Sequence, residues 1–82
     1  MKAIVTKYFG PTDRRGIRIK ATEPDGISVT VDYDLSLNDD ENHREACRRL
    51  RDKMGWTGLM VGGHLKLGMV WVFDRTRDKV DG

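Results

Sequence analysis

The stretch NDDENHREACRRLRDKMGW, residues 38–56, constrains the fold most, because it is the most strongly patterned segment and its pattern is helical. Asn38 is a good N-cap, and Glu41 three residues later completes a capping box. Acidic residues fill the first turn, basic residues crowd the last turns, and Gly55 supplies a stop. The sequence therefore predicts one helix from Asn38 to Met54.

One side of this predicted helix is suited to pack on a sheet, because its less polar residues recur at helical spacing. That stripe consists of His43, Ala46, Cys47, Leu50 and Met54. A basic flank beside it consists of Arg44, Arg48 and Arg51. We expect the stripe to be buried and the flank to remain in solvent.

Segments on both sides of the helix have strand signatures. Residues 2–9 are rich in β-branched and aromatic types, and residues 15–22 alternate apolar and basic side chains. EPDG at 23–26 predicts a tight turn into a third strand over 27–34. In that strand we expect Ile27, Val29, Val31 and Tyr33 to be buried. Asp32 and Asp34 should then form an acidic row beside a basic one.

After the helix, GLMVGG and GMVWVF predict a final hairpin around HLKLG. Residues 69–73 are apolar without alternation, which predicts a strand covered on both faces or at its ends. The predicted class is α+β, with an antiparallel sheet of about five strands and one helix packed on a face. The predicted element order is β-β-β-α-β-β.

The chain of 82 residues is sufficient for one small domain, which we place at residues 1–73, followed by a flexible charged tail at 74–82. No apolar run is long enough for a membrane helix, and the start MKAIVTKYFG turns polar too early for a signal peptide. A single cysteine suits a reducing compartment. We therefore expect a cytoplasmic protein with no membrane partner.

Several segments also resemble a known group of proteins. They are MKAIVTKY at the start, RGIRIKA in the second strand, ENHREA on the helix, GW after it, and the late GG and WVF. Together they resemble short uncharacterised proteins encoded on bacterial plasmids, integrative elements and prophages, over residues 1–73. The resemblance implies a mobile-element protein of unassigned activity. It carries over no catalytic or binding residue.

His43 and Cys47 raise the question of a metal site or a nucleophile with its base, because they lie four residues apart on the helix. A closed zinc site needs two more ligands, and His64 is the only other residue of the soft-ligand type. Packing of both side chains in the apolar stripe is the favoured interpretation. The glycines after the helix do not fit a phosphate loop, which precedes a helix. We expect no enzyme activity, metal or cofactor.

The basic residues are the strongest candidates for a binding surface. The net charge of +2 divides into +5 for residues 1–20, −7 for 21–41 and +4 for 42–82. The predicted binding residues are Arg14, Arg15, Arg18, Lys20, Arg44, Arg48 and Arg51. Lys2 and Lys7 can join the first four across paired strands, and Tyr8, Trp56 or Trp71 can offer a stacking surface if it is exposed.

Adjacent basic and acidic sectors favour a protein partner, because they can orient a complementary surface. The predicted function is therefore a non-enzymatic binding module that acts by protein–protein interaction. The resemblance implies that it belongs to a bacterial mobile element and that its partner is a host or element protein. The alternative is nucleic-acid binding through the basic face of strands one and two. The expected assembly is a monomer or a homodimer.

Overall fold

A computed structural model of the chain describes residues 2–74. The elements in this part follow as β1 (Ala3–Phe9), β2 (Arg18–Thr22), β3 (Ser28–Asp32), α1 (Asp39–Met54), β4 (Met60–Leu65) and β5 (Gly68–Phe73). The five strands form one antiparallel sheet in the order β3-β2-β1-β5-β4. The predicted α+β class and element order are confirmed.

The helix begins and ends where its cap signals predict. Asn38 Oδ1 accepts the backbone N–H of Glu41 at 2.8 Å, and Glu41 Oε1 accepts the N–H of Asn38 at 3.2 Å. Gly55 ends the helix in the left-handed region, at φ 70°, a conformation that a glycine adopts without a Cβ clash. Local sequence therefore fixes both ends of α1.

The core lies between α1 and one face of the sheet. Its buried apolar residues are Ile4, Ile19, Ala21, Ala46, Cys47, Leu50, Met69 and Trp71. The helix packs mainly on β1, β2 and β3 and only lightly on β5. The predicted buried stripe is confirmed for His43, Ala46, Cys47 and Leu50, while Met54 is half-buried.

Two burial predictions need correction. Of the residues expected to be buried in β3, Val29, Val31 and Tyr33 are half-buried against the core, and Ile27, which lies just before the strand, is 42% exposed. In β5, Met69 and Trp71 are buried, whereas Val72 on the other face is 36% exposed. β5 lies inside the sheet, but among residues 2–74 the helix covers only one of its faces.

The predicted acidic row was also wrong, because β3 ends at Asp32 and Asp34 lies in the following turn. Asn42, which is 2% exposed, hydrogen-bonds the backbone where the chain turns away from the strand direction. Its Oδ1 accepts the N–H of Asp34 at 2.7 Å, and its Nδ2 donates to the Asp34 carbonyl at 2.9 Å. Hydrogen bonds from Ser36 lower the pKa of Asp34. Asp32 is thus the acid that remains beside the basic residues of β2.

Asp74, the first residue of the predicted flexible tail, is hydrogen-bonded to the chain before β4. The N–H of Asp74 donates to the carbonyl of Leu59 at 2.8 Å, which extends the pairing of β4 with β5. The rest of the predicted flexible tail, residues 75–82, lies outside the described residues.

Candidate functional site

His43 and Cys47 do not act as a pair, because their polar atoms contact different groups. His43 Nδ1 lies 2.7 Å from Thr6 Oγ1, and its Nε2 lies 3.7 Å from Asp39 Oδ2. Cys47 Sγ lies 3.8 Å from Met60 Sδ. Burial raises the pKa of Cys47 to about 11, so the thiol is protonated near neutral pH and is a poor nucleophile.

Thr6 connects β1, β5 and α1 through one buried hydroxyl. Trp71 Nε1 donates to Thr6 Oγ1 at 3.1 Å, and the hydroxyl lies within hydrogen-bond distance of His43. A neutral His43 that accepts from Thr6 satisfies both groups. Burial lowers the pKa of His43, against the opposing effect of Asp39, and so favours the neutral ring. These contacts give His43 a structural role in the core.

The third soft-ligand candidate, His64, lines a shallow depression together with His43 but contacts a different carboxylate. Its Nε2 lies 2.9 Å from Asp40 Oδ1, on the exposed side of the sheet edge. Within residues 2–74, no cluster of three or more His, Cys, Asp and Glu side chains is arranged to hold a metal ion.

Gly62 in β4 lies against the Trp71 ring, and an added Cβ would come within 2.6 Å of that ring. Close packing therefore accounts for this glycine.

The face of the sheet opposite α1, here called the open sheet face, has a distinct aliphatic half. Cross-strand register aligns Val61, Val72 and Ala3 in one row and places Val70 beside Val5 in the next. Val61 and Leu65 are 47% and 49% exposed. Exposed aliphatic side chains that share a face form a surface suited to bind another apolar surface.

The other half of the open sheet face is basic. Lys7 of β1 lies directly opposite Lys20 of β2, and Arg18 lies two residue pairs further along, opposite Asp32 of β3. Arg15 lines the same shallow depression as Arg18 and Lys20. Like charges directly opposite each other destabilise strand pairing, so the Lys7–Lys20 pair favours an anionic partner over a purely structural role.

The predicted binding residues therefore separate into two groups. The structure brings Arg15, Arg18 and Lys20 together, while Arg14 lies in the loop before them, where its N–H bonds Thr12 Oγ1. The helix arginines lie on the other side of the molecule from this face. Lys2 is also separate from the basic half, because its ammonium lies 5.4 Å from the centroid of the Trp56 ring.

Carboxylates and carbonyls already engage two of the helix arginines. Arg48 forms ion pairs with Glu45 and Asp52, and Glu45 raises the pKa of Arg48. Arg51 donates to the carbonyl of Gly58 at 3.2 Å. Arg44 lines a cleft between α1 and β4 and makes no ion pair with any described residue. Of the three, Arg44 is the best placed to contact a partner.

The aromatic residues considered for stacking do not lie beside the basic half. Trp71 is buried, Trp56 packs on Phe73, and Tyr8 packs edge-on against Tyr33. Phe9 is the aromatic residue next to the basic half, and the Arg18 guanidinium lies 5.4 Å from its centroid. This face is therefore mainly aliphatic and cationic, and Phe9, which is 37% exposed, is the one aromatic residue on it among residues 2–74.

Sequence reasoning missed two features of the site. The buried amide of Asn42 has the sequence pattern of an exposed polar helix residue, and the outer position of β4 depends on strand order. Sequence reasoning did group Lys7 with the basic residues of β2, but the direct pairing of Lys7 with Lys20 follows only from the strand register.

Among residues 2–74, no helix has the length and apolar character needed to span a membrane. Comparison with protein-family models, curated proteins and solved structures found no match to the chain.

Proposed function

We propose that this protein is a non-enzymatic binding module that acts by protein–protein interaction through its open sheet face. The observation that carries the proposal is the juxtaposition of an aliphatic half and a basic half on the side of the sheet that no element of residues 2–74 covers. Aliphatic side chains give a protein interface its desolvated core, and flanking charges orient the partner. A partner with an apolar patch beside acidic residues fits this arrangement.

Nucleic-acid binding is the second candidate, and the Lys7–Lys20 pair supports it. The acidic segment, residues 21–41, opposes nucleic-acid binding less than its charge of −7 suggests. Among its acidic residues, only Asp32 lies on a strand next to the basic half, where it pairs with Arg18. Glu23, for example, is 4% exposed and accepts the Ile27 N–H at 2.6 Å. The aliphatic half supports protein binding over nucleic-acid binding, since single-stranded nucleic acid is bound on successive aromatic side chains and Phe9 is the one aromatic residue on this face among residues 2–74.

The proposed partner is a host or element protein, which rests on the sequence resemblance to mobile-element proteins. The proposal that the protein is not an enzyme is supported by the contacts of its two candidate reactive side chains, His43 and Cys47. His43 contacts Thr6, and the protonated Cys47 contacts Met60. Neither arrangement supplies a nucleophile next to a base.

A pull-down from bacterial lysate, with and without nuclease, tests this proposal. We expect a bound protein that resists nuclease and is lost on Lys20→Glu. The matched control is Arg49→Glu, which reverses an exposed charge on the outer side of α1 and should leave capture unchanged. Equal capture by the two variants would contradict the proposed surface.

A nucleic-acid titration of the same variants separates the two candidates. Protein binding predicts negligible affinity for duplex or single-stranded DNA and RNA at about 150 mM salt. Micromolar binding at that salt, lost on Lys20→Glu but not on Arg49→Glu, would favour the nucleic-acid function. In that case each removed contact should reduce the slope of log affinity against log salt by about one.

A further inference from the structure

Strand β4 forms one edge of the sheet and lacks the features that usually protect such an edge. Its sequence, MVGGHL, contains no Lys, Arg, Asp, Glu or Pro. Among residues 2–74 it pairs only with β5, so its outer side is unpaired. An exposed, apolar edge strand is a template for pairing with another strand.

The hydrogen-bond pattern indicates which backbone groups of β4 point outward. The N–H of Asp74 donates to the carbonyl of Leu59, and antiparallel pairs alternate between bonded and non-bonded positions. Val61, Gly63 and Leu65 therefore direct their backbone groups to β5. The groups of Met60, Gly62 and His64 are directed away from the sheet.

From this geometry we propose that the chain forms a symmetric homodimer by antiparallel pairing of β4 with β4 of a second copy. The two-fold axis passes at Gly63, so that Gly63 faces Gly63 of the partner subunit. Val61 then faces Leu65 of the partner subunit, and both lie on the open sheet face. The outward backbone groups of Gly62 meet those of His64 of the partner subunit.

Gly63 supports this register because nothing within the described chain requires a glycine there. Its φ lies outside the left-handed region, and an added Cβ would meet no atom within 4 Å. Gly62 differs, because the Trp71 ring occupies the space of its Cβ. At a two-fold axis, non-bonded residues face each other with Cα atoms only about 4.5 Å apart, where the smallest residue fits best.

Charges on the helix side are complementary across the same axis. Asp40 contacts His64 and Cys47 contacts Met60, so α1 runs antiparallel to β4 and Arg44 lies near Gly62. Because Gly62 pairs with His64 of the partner subunit, Arg44 is directed toward Asp40 of the partner subunit. The symmetric pair repeats this contact, and it gives Arg44 the carboxylate that it lacks among residues 2–74.

The dimer joins two open sheet faces into one ten-stranded surface with an aliphatic centre. Val61, Val72 and Leu65 of both copies would lie next to each other at that centre. This inference goes beyond the proposed function and does not depend on it, because the purified chain alone should dimerise. A failed pull-down would not contradict the proposed dimer, and a monomeric chain would not contradict the proposed binding through the open sheet face.

Sedimentation of the purified full chain over about 1 to 100 µM tests dimerisation, since a small interface is expected to have micromolar affinity. We expect a concentration-dependent shift from monomer to dimer. Gly63→Lys should abolish the shift, because it places two like charges at the axis. Thr30→Lys on the opposite edge is the matched control and should still dimerise. A chain that remains monomeric throughout, or equal behaviour of the two variants, would overturn the proposal.

Disulfide trapping tests the register and separates edge pairing from packing of two open faces. Under mild oxidation Gly63→Cys should form a cross-linked dimer, because facing non-bonded residues lie within disulfide distance. Val61→Cys and Thr30→Cys should not, since neither residue faces itself. The native Cys47 is buried and should not contribute. Equal or greater cross-linking of Val61→Cys would contradict the two-fold axis at Gly63.

Discussion

At one edge of the sheet, β3 presents Thr30 and Asp32, and Lys53 Nζ donates to its Ser28 carbonyl at 3.3 Å. At the other edge, β4 presents Val61 and no Lys, Arg, Asp or Glu. The helix packs on β3 but makes only side-chain contacts with β4 through His64 and Met60. β3 is thus polar, and Lys53 occupies its Ser28 carbonyl, whereas β4 pairs with no strand on its outer side among residues 2–74.

This difference indicates that the residues that stabilise the fold and the residues proposed to mediate association lie in different parts of the sheet. The helix and the buried residues of β1 and β2 supply most of the core. The β4 half carries exposed aliphatic residues instead. Substitutions in the first half should change the free energy of unfolding, and substitutions in the second half should change association.

The largest expected effect on folding is that of Leu50→Ala, because Leu50 is fully buried between α1 and the sheet. Removing a buried leucine side chain costs about 2–5 kcal/mol. Arg48→Ala is the control on the exposed side of the same helix and should cost less than about 1 kcal/mol. Chemical denaturation that found both substitutions equally mild would contradict the buried stripe.

The next effect is that of Asn42→Ala, which removes the amide that holds the turn after β3. That side chain bonds the backbone of Asp34, Leu37 and Asn38. Leaving such buried backbone groups unpaired costs about 1–3 kcal/mol. Denaturant unfolding measures the loss, and Asn42→Asp tests whether an acceptor without donor groups suffices. Unchanged stability of Asn42→Ala would show that the turn forms without this residue.

A smaller effect should appear as a pH dependence of stability from His43. Its pKa is lowered in the folded state from a usual value of 6.5, so the unfolded chain binds the proton first as pH falls. Stability should therefore be full above pH 6.5 and decline below it. The charged and titratable groups near the ring are Asp39, Asp40 and His64.

Thermal unfolding of wild type and His43→Gln across that pH range measures this contribution. The variant keeps a hydrogen-bonding side chain toward Thr6 but does not titrate, so its decline should be shallower. An NMR titration of the His43 ring checks the direction independently. A raised pKa, or the same decline in both proteins, would contradict the neutral buried ring.

The smallest expected effect is that of a chelator. Because His43, Cys47 and His64 contact different groups, treatment with EDTA should leave the melting temperature unchanged. Elemental analysis of the purified chain should show no stoichiometric zinc. One zinc per chain that is lost on replacing Cys47 would contradict the packing role of the pair.

Local patterns predicted the elements well, whereas features that depend on long-range pairing were not visible in the sequence. Asn38, Glu41 and Gly55 determine the ends of α1 through neighbouring backbone groups, so their positions are encoded within a few residues. The facing of Lys7 and Lys20 depends on the register of two strands. The exposure of β4 depends on β5 pairing with β1, a contact between distant segments.

Part of the candidate site could be predicted for the same reason. Arg18 and Lys20 alternate with buried residues in one strand, so local sequence predicts that they share a face of the sheet. The residues that they face on the neighbouring strands depend on the register. Asp34 was misplaced because Asn42, near the start of α1, hydrogen-bonds the Asp34 backbone after the strand has ended. A side chain of one element that bonds the backbone of the preceding loop is not visible in strand alternation.

Amide hydrogen exchange at two protein concentrations tests the contrast between the two edges most directly. If β4 pairs with a second copy, the amides of Gly62 and His64 should exchange more slowly at about 100 µM than at about 1 µM. The amides of β3 should exchange at the same rate at both concentrations. Equal exchange of the β4 amides at the two concentrations, or protection that rises in β3 instead, would contradict the account.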